Sequence, residues 1–514
     1  MQNEGGIVYN SVIIRFISVI LGSLKTAYYE SRTGLIVARS SKVLKTAFQN
    51  SIFWRAVRLG ERSSEFWENS IIFKLLQGIG KGIVFVIRSI FSLLGTAYSE
   101  SITGRIISAV TNNFALVFSF FIFMLTVVPY KVWHNQYGLI FGGLLLLLYL
   151  IKTGMDKGFG LDIKRVDFAF VLFMLATLLS VVTSIDIKGS SKSFLFEAVA
   201  FLFVFILANS IRTKRDLSII IYGIIVGVTI ASIYGLWQYA NHIPIDPLWV
   251  DISYSPGVTR IYSTMGNPNN YAEYLILALP FYGAAFFNTR QKGWRALIVL
   301  LALLPLSNLL LTNSRGSWIA FVVLFMVYVF LKNRKLIPIL LVIGIVMIPF
   351  IPASIIKRIS TVGKDSSSEL RLIIWKSSYK MLKDFWVTGI GKGSAPFISL
   401  FQHYNITITP PAHSHMLPLV IWLESGIAGI LSFLWMLARI VKKGCISIFG
   451  KGDAYLNNVM MACIAALIGI IIVGMVEYVW FYERVMYMFW IVVAIFYIAV
   501  NIGKNSVQLK SIEN

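Results

Sequence analysis

Downstream of residue 113 the chain alternates between unbroken apolar stretches and short polar ones. The apolar stretches lie near 114–133, 136–152, 166–185, 192–211, 217–239, 270–288, 294–312, 316–332, 335–352, 415–440, 455–477 and 485–502, twelve in all. Most come close to or exceed the roughly twenty residues that carry a helix across a hydrocarbon core about 30 Å thick. They are apolar throughout, without period-two alternation, so they predict helices rather than the strands of a barrel. The expected fold is therefore all-α, a polytopic integral membrane protein of about twelve transmembrane helices.

The polar connections test the orientation. With both ends of the chain on the cytoplasmic side, the inner connections are Lys152 to Arg165, Arg212 to Arg215, Arg290 to Arg295, Lys332 to Lys335 and Arg439 to Lys451, and every one is basic. Short cytoplasmic loops carry the excess of Lys and Arg, so shifting the assignment by one helix would place all of these clusters on the wrong side. Two outer connections are long, 240–269 and 353–414. Long loops in compact proteins are functional or disordered more often than not. In the second, Ser366 to Glu369 reads as a capping box. The following LRLIIWKSSYKMLKDFW sets Leu370, Ile373, Ile374, Met381, Leu382 and Phe385 on one helical stripe, so a helix resting on the outer membrane surface or capping a cavity is expected.

Residues 1–112 differ from the rest. LKTAYYESRTGLI, from Leu24 to Ile36, recurs as LGTAYSESITGRI from Leu94 to Ile106, with nine of thirteen positions identical at an offset of 70. With Arg15, Lys25, Arg39, Lys42, Lys45, Arg55, Arg58 and Arg62 among its cations, this region is expected to form amphipathic units on the anionic cytoplasmic leaflet. The chain thus divides into a basic interfacial region (1–112), transmembrane helices one to nine (113–352), a large extracytoplasmic loop (353–414) and helices ten to twelve with a cytoplasmic tail (415–514).

Composition agrees with a bilayer environment. Hydrophobic residues make up 57% of the 514 and charged residues 13%, and mean hydropathy is +0.75. The formal charge of +23 would point to nucleic acid in a soluble protein; here topology and the N-terminal region account for most of it, and no nucleic-acid partner is expected. Cys445 and Cys463 offer neither a disulfide framework nor metal-ligand spacing. The first long apolar stretch begins more than a hundred residues in and lacks a small-residue cleavage site, so no cleavable signal peptide is expected.

A few residues on the outer side are not explained by topology. Arg315, in TNSRGSW, sits in a tight outer hairpin where the positive-inside bias disfavours it; it is either a snorkelling cation or an anion clamp, since guanidinium offers a rigid fork of donors for phosphate. Arg260 precedes the turn GNPNN, which supplies Asn267 and Asn269 as secondary candidates, and Arg371 opens the amphipathic helix. Three of the five histidines, His403, His413 and His415, lie at the end of the large loop, and imidazole suits general-base work near neutral pH. No nearby acid or thiol completes a metal site with them, so neither metal nor cofactor is expected. Glu197, Glu273 and Glu424 fall in or at the ends of spans. Glu424 follows His415 by nine residues and is as well suited to a packing or hinge role with Gly426. TGIGKGS, 388–394, lacks the spacing of a nucleotide phosphate loop.

The ordered series GNPNNYAEYL, LTNSRGSW, RLIIWKSSYKMLKDFWVTGIGKG and AHSHMLPLVIWLESGIAG resembles the O-antigen ligase family, which also takes in polysaccharide polymerases and protein O-oligosaccharyltransferases, over roughly residues 114–503. The resemblance implies a glycosyltransferase of the bacterial cytoplasmic membrane, moving a glycan from an undecaprenyl-diphosphate donor to a glycan, lipid or protein acceptor on the outer face. It further implies Arg315 and Arg260 as diphosphate ligands and His415, chosen over His413 by its spacing to Glu424, as the base; Arg371, as another outer-loop arginine, is expected to join the diphosphate site. A polymerase of the same superfamily, or a flippase or transporter of lipid-linked glycan, are the competing expectations. Trp249, Trp318, Trp375, Trp386 and Tyr404 are either sugar-stacking or interfacial aromatics.

Overall fold

In the computed structural model the protein is described over residues 66–93, 101–245, 259–350, 356, 366–450 and 452–512. The first copy of the N-terminal repeat, the start of the second, the cations from Arg15 to Arg62, and Trp249 lie outside these residues. The regular structure in them is helical, with no strand. Early in the chain come α1 (Ile71–Leu93), α2 (Ile102–Asn112), α3 (Phe114–Val127) and α4 (Gln136–Met155), then α5 (Phe168–Val182), α6 (Ile187–Ser210) and α7 (Lys214–Ala240). They are followed by α8 (Pro268–Asn288), α9 (Lys292–Leu311), α10 (Arg315–Asn333) and α11 (Ile337–Met347). The large loop holds α12 (Ser366–Phe385) and α13 (Ser394–Tyr404), and the chain ends with α14 (Leu417–Phe449), α15 (Ala454–Gly474) and α16 (Glu483–Ile512).

Polar residues at the ends of the apolar stretches set where helices start. Asp167, Asp186, Thr213 and Asp453 each accept a backbone N–H from the first turn of α5, α6, α7 and α15. Asn267 does the same for α8, whose first residue is Pro268, a position where the missing N–H costs nothing.

Each of the twelve predicted apolar stretches carries a helix, yet fewer are long and apolar enough to cross a bilayer. Among the described residues seven qualify, α4, α6, α7, α9, α14, α15 and residues 483–504 of α16; the pair α2 and α3, bent by 70°, makes an eighth if it is one span. The count of about twelve is thus not reached on this measure. α3, α5 and α11 are short, and α8 and α10 begin with polar turns, Pro268 to Glu273 and Arg315 to Ser317. The protein is a multi-pass, all-helical membrane protein.

The centre of the bundle is formed by α15 and α16, whose apolar windows are 83% and 89% buried while that of α9 is 22% buried, so the last two helices are enclosed by protein and α9 faces lipid. α15 packs on α8 and α10, and α16 on α6. Where α14 ends, Asp167 accepts from Nε of Arg439 at 2.6 Å and from Nζ of Lys443, tying α5 to α14 with a buried charge cluster. Arg88 of α1 donates to the carbonyls of Lys157 (2.9 Å) and Phe159 (3.0 Å), which fastens α1 to the segment after α4.

The predicted stripe on α12 is partly realised. Ile374, Met381 and Leu382 are buried with Phe397, Phe401 and Leu423, and Phe385 packs against them, but Leu370 and Ile373 are exposed. The helix turns about its axis so that Ser377 and Ser378 also face inward. α12 and α13 therefore sit on α14 as a packed unit.

Candidate active site

Four connecting segments are linked by contacts: 259–267 before α8 to the turn 312–314 before α10, the start of α10 to 475–482 between α15 and α16, and that segment to 405–416 before α14. Glu477 joins three of the elements there. Its Oε1 accepts from Nη2 of Arg371 at the start of α12, and its Oε2 lies 3.4 Å from Nδ1 of His415. One carboxylate thus holds both a guanidinium and an imidazole. Such a contact fixes the ring's orientation and favours the tautomer with hydrogen on Nδ1, leaving the Nε2 lone pair for a proton.

His415 sits in the left-handed backbone region, φ 52°, a conformation uncommon for a residue with a side chain. Its N–H donates to Nδ1 of His413 at 3.1 Å, and the two rings are 4.3 Å apart. The pair divides its work by burial. The His413 ring is packed against Tyr478 and Phe481, whereas the side chain of His415 is 31% exposed. Burial, then the neighbouring His415 and Arg371, push the His413 imidazole down from 6.5 to about 3, so it stays neutral and serves as an acceptor.

That shift makes stability pH-dependent. Between pH 6.5 and 3 the unfolded chain takes up a proton that folded His413 refuses, so this contribution is fully favourable above 6.5 and weakens as the pH falls, by at most about 1.4 kcal/mol per pH unit. His413→Gln is expected to flatten the fall in melting temperature between pH 7 and 5; parallel curves for variant and wild type count against the assignment.

The two other arginines border the same region. Arg260 donates from Nε to the carbonyl of Thr312 and from Nη2 to Oδ1 of Asn269, both at 2.8 Å, which braces the start of α8 against the turn leading to Arg315. Asn267 is the helix cap described above, so both asparagines have structural partners. Arg315 is the first residue of α10. A Cβ placed on the adjacent Gly316 would be 3.5 Å from Val476, the residue before Glu477, so the Arg315 turn abuts the Glu477 segment. The candidates Arg260, Arg315, Arg371, His413 and His415 thereby lie along one continuous line of contacts. His403, exposed on α13, has no part in it.

Glu424 belongs to a different construction. Gly426 breaks α14 with φ 62° and ψ −166°, and the segment 387–391 fills the break: Ile390 and Gly391 donate to the carbonyls of Leu423 and Glu424, and Ile427 donates to that of Val387. A Cβ on Gly426 would meet the Val387 oxygen at 2.0 Å, so the close approach requires glycine. Lys392, 4% exposed, then reaches Glu424 at 2.6 Å and Glu197 of α6 at 2.9 Å. Burial alone would lower the lysine, but Glu197 and Glu424 together hold it well above its ordinary value and charged. TGIGKGS is therefore a clamp between α6, α14 and the large loop.

Glu477 was absent from the sequence candidates because it falls at the last residue of a predicted apolar span. Its signal was the charged group Glu477, Glu483 and Arg484 where the last two apolar stretches adjoin. Of the aromatic candidates, Trp318 donates to the Leu309 carbonyl at 3.1 Å and Tyr404 donates to Asp384, while Trp386 is exposed. Among the described residues no three His, Cys, Asp or Glu side chains converge as metal ligands.

The class these features define is a multi-pass helical membrane protein with a histidine, carboxylate and arginine cluster at one end. Residues 299–434, from α9 into α14, match the family described as O-antigen ligase. The match takes in Arg315, Arg371, His413, His415 and Glu424; Arg260 and Glu477 lie outside it. No curated protein matches the chain.

Proposed function

We propose that the protein is an inverting glycosyltransferase that moves a glycan from undecaprenyl diphosphate to an acceptor on the outer face of the bacterial cytoplasmic membrane. The observation that carries this reading is the bridge from Arg371 through Glu477 to His415, beside the start of α10, within a chain bearing an O-antigen ligase domain.

In the reaction an acceptor O–H attacks the anomeric carbon. The new C–O bond forms as the bond from that carbon to the diphosphate oxygen breaks, and the diphosphate leaves with the electron pair. Nε2 of His415 takes the acceptor proton. Arg315 and Arg371, with the Arg260 guanidinium, receive the charge that builds on the leaving group, a task for fixed guanidinium donors that needs no nucleotide. Attack opposite the leaving group inverts the anomeric centre. Ligation and polymerisation share every one of these steps and differ in the acceptor.

Glu477 is the positioning residue. Glu477→Gln is expected to lower kcat about 10²-fold, less than the ~10⁴-fold loss for the buried aspartate of a serine-protease triad, because His415 here is partly exposed. Glu477→Asp, which keeps the anion, should retain more of the rate than Glu477→Gln. Full kcat in a folded Glu477→Gln enzyme would remove Glu477 from the mechanism.

A further inference from the structure

Behind one wall of an apolar groove, the protein gathers polar donors that nothing in the described structure satisfies. The groove lies between α3 and α4, has a volume of about 400 Å³, and is lined by Phe121, Met124, Val128, Trp133, Ile140 and Leu144 among others. Ile140 and Leu144 are 67% and 47% exposed, so its open side faces the hydrocarbon. At its head the Trp133 ring covers the guanidinium of Arg484, 4.5 Å from the ring centre.

Arg484, the second residue of α16, is 0% exposed. Nη1 reaches the Thr264 carbonyl at 3.3 Å and the Met265 sulfur at 3.7 Å, while Nε and Nη2 have no hydrogen-bond partner among the described residues. The same holds for the indole N–H of Trp133 and the hydroxyl of Tyr487, one turn along α16. Tyr487 closes the other side of the groove wall, where a Cβ on Gly138 would meet its ring at 2.5 Å. Buried donors without acceptors are rare, and a buried cation without an anion is costly. Here every orphaned group is a donor, and they adjoin a slot for hydrocarbon.

We propose that this groove is a binding site for an anionic phospholipid of the surrounding membrane, separate from the Glu477 cluster. One acyl chain lies in the groove. The phosphodiester oxygens accept from Nε and Nη2 of Arg484 once the Trp133 ring, carried on the connection between α3 and α4, swings aside. Three observations favour this occupant. The volume lies at the low end of the roughly 300–1,000 Å³ of small-ligand sites, which suits a single chain rather than a polyprenyl tail. Tyr130, Trp133 and Tyr137 mark the level at which interfacial aromatics and lipid headgroups lie. The head of the groove offers positive charge, and among the described residues no carboxylate hydrogen-bonds Nε or Nη2 of Arg484.

The test is native mass spectrometry of the full-length protein in detergent, titrated with dioleoyl phosphatidylglycerol or dioleoyl phosphatidylcholine. The wild type should bind the phosphatidylglycerol at least about tenfold more tightly. Arg484→Gln should erase the difference, and Ile140→Trp, which fills the groove from its lipid-facing side, should weaken binding of the anionic lipid about tenfold with the melting temperature kept. Should Arg484→Gln fail to fold, Ile140→Trp carries the test. Equal affinity for the two lipids, or undiminished selective binding in folded Ile140→Trp, overturns the proposal. Displacement of phosphatidylglycerol by an equimolar polyprenyl phosphate overturns it too, by making the groove a donor site. None of these readings depends on whether the protein transfers glycan.

Discussion

His415→Ala is expected to lower glycan transfer by about 10²–10⁴-fold, the range for removal of a general base, with donor binding and melting temperature close to wild type. The side chain is 31% exposed and, among the described residues, its polar contact is the 3.4 Å approach to Glu477, so little packing is lost with it. His413→Ala behaves differently. That ring is buried against Tyr478 and Phe481 and supports the His415 backbone through Nδ1, so its removal should lower stability together with activity. Single-turnover rates and melting curves for the two variants separate the roles; a His415→Ala enzyme at wild-type rate, or equal losses of stability in both variants, contradicts the assignment.

Lys392→Met carries the largest expected effect on stability. The lysine is enclosed between Glu197 and Glu424, and its loss leaves two buried carboxylates facing each other. Breaking a buried ion pair on one side costs about 3–5 kcal/mol. Adding Glu197→Gln and Glu424→Gln to Lys392→Met removes the uncompensated charge and should recover much of the loss, which melting curves of wild type, Lys392→Met and the triple variant measure. A single variant as stable as wild type would show that the cluster does not hold the large loop to α6 and α14.

The same cluster bears on the transporter alternative. Transporters use interrupted helices whose freed carbonyls face ions or substrate. The interruption at Gly426 is different: the Leu423 and Glu424 carbonyls are taken by Ile390 and Gly391, and the Glu424 carboxylate by Lys392 and the Gly393 N–H. The break is a socket for the loop, which favours a fixed site over a moving one.

Much of this architecture was legible in the sequence because lipid imposes a simple rule. Unbroken apolar runs must be helical, so each predicted stretch carries a helix, and the helix expected from Ser366 onward is α12. The number of crossings was less legible, since helix length and polar first turns decide it, as in α3 and α8. The register of α12 also escaped, because periodicity identifies a stripe but not the neighbour it meets; contact with α13 and α14 buries Ile374 and leaves Leu370 out. In the site, Arg315 and His415 stood out by type and side of the membrane. Glu477 did not, because a carboxylate at the edge of an apolar run reads as a boundary until the fold brings Arg371 and His415, 106 and 62 residues away, to its two oxygens.

The central claim is that this end of the bundle transfers glycan from a lipid diphosphate by means of its own side chains. Purified full-length protein, given a glycan-charged undecaprenyl diphosphate and an acceptor without added nucleotide or divalent metal, should release undecaprenyl diphosphate and form one glycosylated product of inverted anomeric configuration, with release lost in Arg315→Ala and His415→Ala. Undiminished release in both folded variants, or movement of the intact lipid-linked glycan across the membrane with no cleavage, would contradict it.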